Sequence, residues 1–231
     1  GNQVFNLRVQ DLAGNWSKSV NTTVSVQRPN RIFADDFESG GFGFWGSSIG
    51  GVLNTPTAAL PIAGIEPGSL RGLQVTVPGT AYLIDNTPAV DTSYHARFRF
   101  NANTLVGGTN QLNILQGRTT SGQAFALQYY RSSGTAGAQL RLVLDRNTGT
   151  AVVGSAVPLP AGAHTLQVDW TAAASGTLKL SVDGVVKSTQ AANTSAIRVD
   201  ATWLGVSSGA GTGSSGTAYF DSFVSTRVTM P

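Results

Sequence analysis

The chain has 231 residues, of which 12% are charged, and with only two glutamates (Glu38, Glu66) and three lysines (Lys18, Lys179, Lys187) it lacks the residues that fill exposed helix faces, so a helical protein is excluded. Its 28 glycines follow no triplet period, which excludes collagen, and 41% hydrophobic content excludes a disordered chain. A net charge of +3 without any Lys/Arg run is too weak a field for nucleic acid, zero cysteines remove disulfides and thiolate chemistry, and no stretch is apolar enough to span a membrane.

No signal peptide opens the chain, and its first residues read as the middle of a domain, so a fragment or a mature product is expected. Residues 1–28 read as a hairpin. Val4 to Val9 alternates, Asp11-Leu12-Ala13-Gly14-Asn15 turns, and Val20 to Val26 alternates again. Two strands cannot bury a core alone. Residues 29–31 read as a linker, and 32–231 as the main module. There, short strands separated by Gly, Pro, Asn and Ser turns are expected near 73–77, 81–85, 94–100, 111–116, 123–131, 138–145, 164–170, 177–182, 185–189, 201–206 and 217–224.

Alternation along these strands assigns an inner and an outer face. Phe98 and Phe100 oppose His95, Arg97 and Arg99. Phe125, Leu127 and Tyr129 oppose Gln128 and Tyr130. Leu140, Leu142 and Leu144 oppose Arg141, and Leu166, Val168 and Trp170 oppose Gln167 and Asp169. One apolar and one polar face per strand predicts an all-β, two-sheet antiparallel jelly-roll sandwich.

Several strings carry a family resemblance. VQDLAGNWS resembles the last strands of bacterial immunoglobulin-like repeats. Phe33 to Gly40 (FADDFESG), Ala163 to Trp170 (AHTLQVDW), Gly176 to Val185 (GTLKLSVDGV) and Ala218 to Val224 (AYFDSFV) resemble the concanavalin A-like lectin/glucanase superfamily, in its laminin-G-like jelly-roll form. The resemblance covers roughly residues 32–228. It implies a module of a secreted bacterial protein, located outside the cell or on its surface, and leaves the activity open, because the superfamily holds lectins, glucanases and adhesion modules.

The residues themselves argue against chemistry. The paired E-x-D-x-x-E carboxylates of glucanases with this fold are missing, His95 and His164 are the only histidines, and no G-x-S-x-G elbow surrounds a serine. His164 is expected to hydrogen-bond a loop, and His95 to be an ordinary exposed residue. Asp35, Asp36, Glu38 and Asp221 are candidate ligands of a structural calcium, which takes 6–8 oxygens; alternatively Asp35 and Asp36 cap turns and pair with Arg31 or Arg227. Arg97, Arg99, Gln128, Tyr130, Arg141 and His95 are expected on one polar face, with Trp45, Trp203 and Tyr94 flanking it; alternatively Trp45, Trp170 and Trp203 are core residues. Arginine forks bind carboxylate or phosphate, so that face points to an anionic polysaccharide.

The expected function is therefore a non-catalytic extracellular module that binds surface or extracellular polysaccharide, as adhesins do. The alternative is a subunit of a cell-surface filament, assembled with copies of itself by strand addition through residues 1–28. A glycoside hydrolase ranks third.

Overall fold

The computed structural model describes residues 2–25, 29–49, 53–54, 65–131 and 137–231. The described residues form eighteen strands and no helix. In chain order they are β1 (Asn2–Leu7), β2 (Val20–Ser25), β3 (Arg31–Asp35), β4 (Ser47–Ile49), β5 (Leu53–Asn54), β6 (Leu73–Val77), β7 (Ala81–Asp85), β8 (Ser93–Asn101) and β9 (Leu112–Arg118). There follow β10 (Gln123–Tyr130), β11 (Gln139–Leu144), β12 (Val152–Val153), β13 (Val157–Pro158), β14 (Ala163–Thr171), β15 (Gly176–Val182), β16 (Val185–Ala192), β17 (Ala201–Ser208) and β18 (Gly216–Thr226). The chain divides into two compact units, Gly1–Asn30 and Arg31–Pro231. Arg31 opens β3, so it belongs to the second unit rather than to the expected linker.

The first unit is the antiparallel pair β1–β2, with Phe5 opposite Thr22. Its connection is held by Asp11, whose Oδ1 accepts the backbone N–H of Ala13 and Asn15, beside Gly14 at φ 90°.

The second unit is a sandwich of two antiparallel eight-stranded sheets. The first sheet runs β12-β11-β10-β9-β17-β7-β4, with β13 also on β11; the second runs β16-β15-β14-β8-β18-β6-β5, with β3 also on β18. Hairpins such as β14–β15–β16 are local, and the β15–β16 turn is the tight kind that needs two positive φ values, supplied by Asp183 (50°) and Gly184 (77°). Other neighbours are distant in sequence. β9 pairs with β17, and β8 lies between β14 and β18.

The inner faces meet as alternation requires. Leu83, Phe125, Leu127, Tyr129, Leu140, Leu142 and Leu204 come from the first sheet, and Phe98, Phe100, Leu166, Val168, Trp170, Leu180 and Phe220 from the second; all are buried. Ring pairs cross between the sheets: Phe100–Tyr129 at 5.9 Å, Phe125–Trp170 at 6.1 Å and Tyr94–Phe125 at 6.1 Å between centroids. Trp170 and Trp45 are core residues. Tyr94 is one too, instead of flanking a surface site. A polar spot interrupts this core: Asp85, Tyr94, Thr202 and Ser225 are all buried, and Asp85 Oδ2 has no hydrogen-bond partner.

Candidate functional site

The six residues expected on one face are divided between the two sheets. His95, Arg97 and Arg99 lie on β8 of the second sheet, and Gln128, Tyr130 and Arg141 on β10 and β11 of the first. They form no common surface. Alternation tells inside from outside on each strand, but says nothing about which sheet the strand joins.

On the second sheet these side chains serve the structure. His95 is buried rather than exposed, because β8 is a central strand that sets Asp169 opposite it on one side and Thr226 on the other. Its Nδ1 lies 2.7 Å from Asp169 Oδ1 and its Nε2 lies 2.8 Å from Ser93 Oγ. Arg99 donates to the Ile65 carbonyl and faces Glu66 at 3.4 Å, while Arg97 donates to the Pro231 carbonyl. His164 binds Asp183 and the Pro160 carbonyl, the loop role expected of it.

The four proposed calcium ligands do not converge. Asp35 Oδ1 accepts the Phe37 N–H and Oδ2 accepts Trp45 Nε1–H; Asp36 Oδ1 accepts the Glu38 N–H. Glu38 Oε1 accepts from Ser69 and from the backbone of Leu70 and Arg71. Asp221 is buried, and burial first, then the charges of Glu38 and Glu66, push its carboxyl up to about 6. Among the described residues no three acidic or histidine side chains are grouped to hold a metal ion. Asp35 and Asp36 cap turns, the alternative reading, while Arg227 pairs with Asp91 at 2.7 Å.

The first sheet is different. Its outer face carries planar polar side chains joined across strands. Arg141 on β11 donates through Nε and Nη2 to Gln128 Oε1, and Gln128 Nε2 donates to Asn113 Oδ1 at 2.8 Å. Register explains the alignment, since Arg141 stands opposite Gln128 and Gln128 opposite Asn113. Farther along the strands, Ser207 donates to Gln116 Oε1, Gln116 Nε2 to Gln123 Oε1, and Gln123 Nε2 to Asp145 Oδ2. Asn113, Gln116 and Ser207 are buried, which rigidifies the row.

Beside the row, Tyr82 and Trp203 stack at 4.8 Å between centroids, and the Arg118 guanidinium sits 4.3 Å over the Trp203 ring. Both rings are half-buried, so each keeps part of its surface for solvent. No carboxylate stands within ion-pair distance of Arg118 or Arg141 among the described residues, whereas Arg99 on β8 and Arg227 just after β18 are paired with Glu66 and Asp91. Burial pushes the Asp145 carboxyl up, opposed by the Gln123 hydrogen bond and the Arg118 charge.

Sequence reasoning placed Gln128, Tyr130 and Arg141 on one outer face with Trp203 beside it, but passed over Asn113, Gln116, Gln123 and Tyr82. A register shift between Leu127 and Gln128 accompanies core positions at both Ile114 and Leu115, so β9 shows no clean alternation to read.

No family model and no curated protein sequence matches the chain. Solved structures do. The receptor binding domain of botulinum neurotoxin C/D mosaic serotype is similar with a TM-score of 0.60 and 10% identity, over 87% of this chain and 49% of that one. The binding domain of botulinum neurotoxin DC in complex with SialylT gives 0.59 and 9%, over 87% and 49%. An endo-beta-1,4-glucuronan lyase from the fungus Trichoderma reesei gives 0.59 and 14%, over 85% of this chain and 95% of that one. The shared feature is a jelly-roll β-sandwich. The chain spans about half the length of the neurotoxin domains, and at these identities the likeness is one of fold alone.

Proposed function

We propose that the chain is an extracellular, non-catalytic module that binds an acidic polysaccharide on the outer face of the first sheet. The observation that carries this reading is the pair of hydrogen-bonded runs on that face, Arg141–Gln128–Asn113 and Ser207–Gln116–Gln123–Asp145, flanked by the Tyr82–Trp203 stack and by two guanidiniums with no carboxylate within ion-pair distance among the described residues. Planar amides and guanidinium forks suit hydroxyls and carboxylates, and half-exposed rings suit the apolar faces of sugars. The names of two structural neighbours point the same way: one binding domain is in complex with SialylT, and the other protein is a glucuronan lyase.

Catalysis by a glycoside hydrolase takes two carboxyls about 5–9.5 Å apart. The row holds one, Asp145, which favours binding without turnover. Calorimetric titration with a polyuronate and with a neutral glucan tests the reading. Binding of the polyuronate alone, weakening as salt rises, is expected. Equal affinity for both, or appearance of shortened or unsaturated products, overturns it.

One observation favours a second reading, a subunit that assembles through the hairpin. Leu7, Val9, Leu12, Trp16 and Val20 are each more than half exposed on β1–β2 and its connection. Light scattering then finds assemblies for the full chain and none after deletion of residues 1–30.

A further inference from the structure

The polar row does not stop at the edge of the sheet. Gln123 and Asp145, its last members, also line a cavity of about 600 Å³ at the strand ends, a volume within the about 300–1,000 Å³ common for ligand pockets. Its other walls are the β9–β10 turn, the turn that follows β11, Val90, residues 196–198 and Asp200. The turns are well held. Thr119 Oγ1 accepts the Gly122 N–H, and Asp200 accepts the N–H groups of Val90 and Thr120, so the Asp200 carboxylate is committed to backbone.

Two more guanidiniums, Arg146 and Arg198, line this cavity. Arg198 is oriented by donation from Nη1 to the carbonyls of Ser195 and Ile197, and no carboxylate stands within ion-pair distance of it among the described residues. Arg146 has no carboxylate within ion-pair distance among the described residues. Distance gives the scale. Asn113, in line with Arg141, and Arg118 are five residues apart on β9, about 17 Å along the strand. The cavity lies beyond Arg118.

Resting on the reading of the outer face above, we infer that the cavity at the β9–β10 end is a second anionic subsite, continuous with the face, and that the ligand is recognised as a linear polyanionic chain several sugars long. Arg118 and Arg141 hold one stretch of it on the sheet. Arg146 and Arg198 hold the next stretch where the chain leaves the sheet. A single acidic sugar or a disaccharide fills only one of the two places.

The experiment is titration of the full chain with oligouronates of increasing length, repeated with Arg146→Gln and with the double variant Arg146→Gln/Arg198→Gln, melting temperature being recorded for each. Affinity should rise by at least tenfold once the oligomer spans both places. The double variant should lose that gain and keep the wild-type affinity for the shortest oligomer that binds, with Arg146→Gln, at an exposed side chain, giving part of the loss without a change in melting. Affinity that is independent of length, or a length gain that survives the double variant, overturns the subsite and leaves the reading of the outer face standing. Absence of binding at every length overturns both.

Discussion

Arg141 places two of its nitrogens on a single acceptor, Gln128 Oε1, at 3.1 Å from Nε and 2.7 Å from Nη2. Gln128 is itself fixed by its donation to Asn113, so the guanidinium plane is set before any ligand arrives. Arg141→Ala should weaken polyuronate binding at least tenfold, the loss of one charge-assisted contact of about 1.5–3 kcal/mol, with little change in melting. Arg141→Lys should not restore it, because a point charge cannot both hold Gln128 and offer a fork. Calorimetry on the two variants reads the effect; full affinity in Arg141→Lys would contradict the forked geometry.

Trp203 and Trp170 separate binding from stability. Trp203 is half-buried on the outer face, in contact with Tyr82 and Arg118; Trp170 is wholly enclosed between the sheets. Trp203→Ala should therefore reduce ligand affinity with a modest loss of stability. Trp170→Ala should cost about 3–5 kcal/mol in denaturant unfolding. A Trp203 variant that unfolds as readily as the Trp170 variant would assign Trp203 to the core.

These residues also mark how far the sequence could be read. Strands such as 73–77 and 81–85 agree with β6 and β7, and the inner positions of β8, β10, β11 and β14 follow directly, because a period of two is a local property. The outer face was not local. Whether Arg97 joins Arg141 depends on β8 lying between β14 and β18, an arrangement made by contacts more than sixty residues apart in sequence. Burial of His95 has the same origin. Asp35 and Asp36 could be read either as metal ligands or as turn caps, since both roles use a short carboxylate beside a turn; only the observed N–H donors decide between them. Residues 132–136 lie outside the described residues.

The polar spot in the core makes a stability prediction. Asp85 lies opposite Thr202 in the β7–β17 pair; its Oδ1 accepts from the N–H and hydroxyl of Thr87, and its Oδ2 has no partner. Burial pushes its carboxyl up. With a folded value above the ordinary 3.8, the folded state holds the proton more tightly than the unfolded state, so stability falls as pH rises from 3.8 through that raised value. Asp85→Asn keeps the acceptor for Thr87 and turns the orphaned oxygen into a donor. It should stabilise the protein at neutral pH by about 1 kcal/mol and remove this slope. Urea unfolding of both proteins across that pH range checks it; an Asn variant that is less stable at neutral pH would refute it.

Asp145 sets the pH dependence of binding. It is the carboxylate at the end of the polar row, faced by Arg118 from β9 and by Gln123 from β10, with Arg146 next in the chain and Arg198 and Asp200 on the shared cavity. Its ionised form repels an acidic ligand. Because burial pushes its carboxyl above 3.8, against the opposing pull of Gln123 and Arg118, it takes up a proton at milder acidity than an ordinary aspartate and than the carboxylates of an exposed polyuronate. Protonation removes one negative charge from the site while the ligand keeps its own. Polyuronate affinity should accordingly rise severalfold as pH falls from neutral toward the Asp145 titration, and decline only in stronger acid. Asp145→Asn should bind more tightly than wild type at pH 7 and show no rise on mild acidification. Titrations at a fixed ionic strength measure both curves, and an Asn variant that reproduces the wild-type pH profile would remove Asp145 from the site.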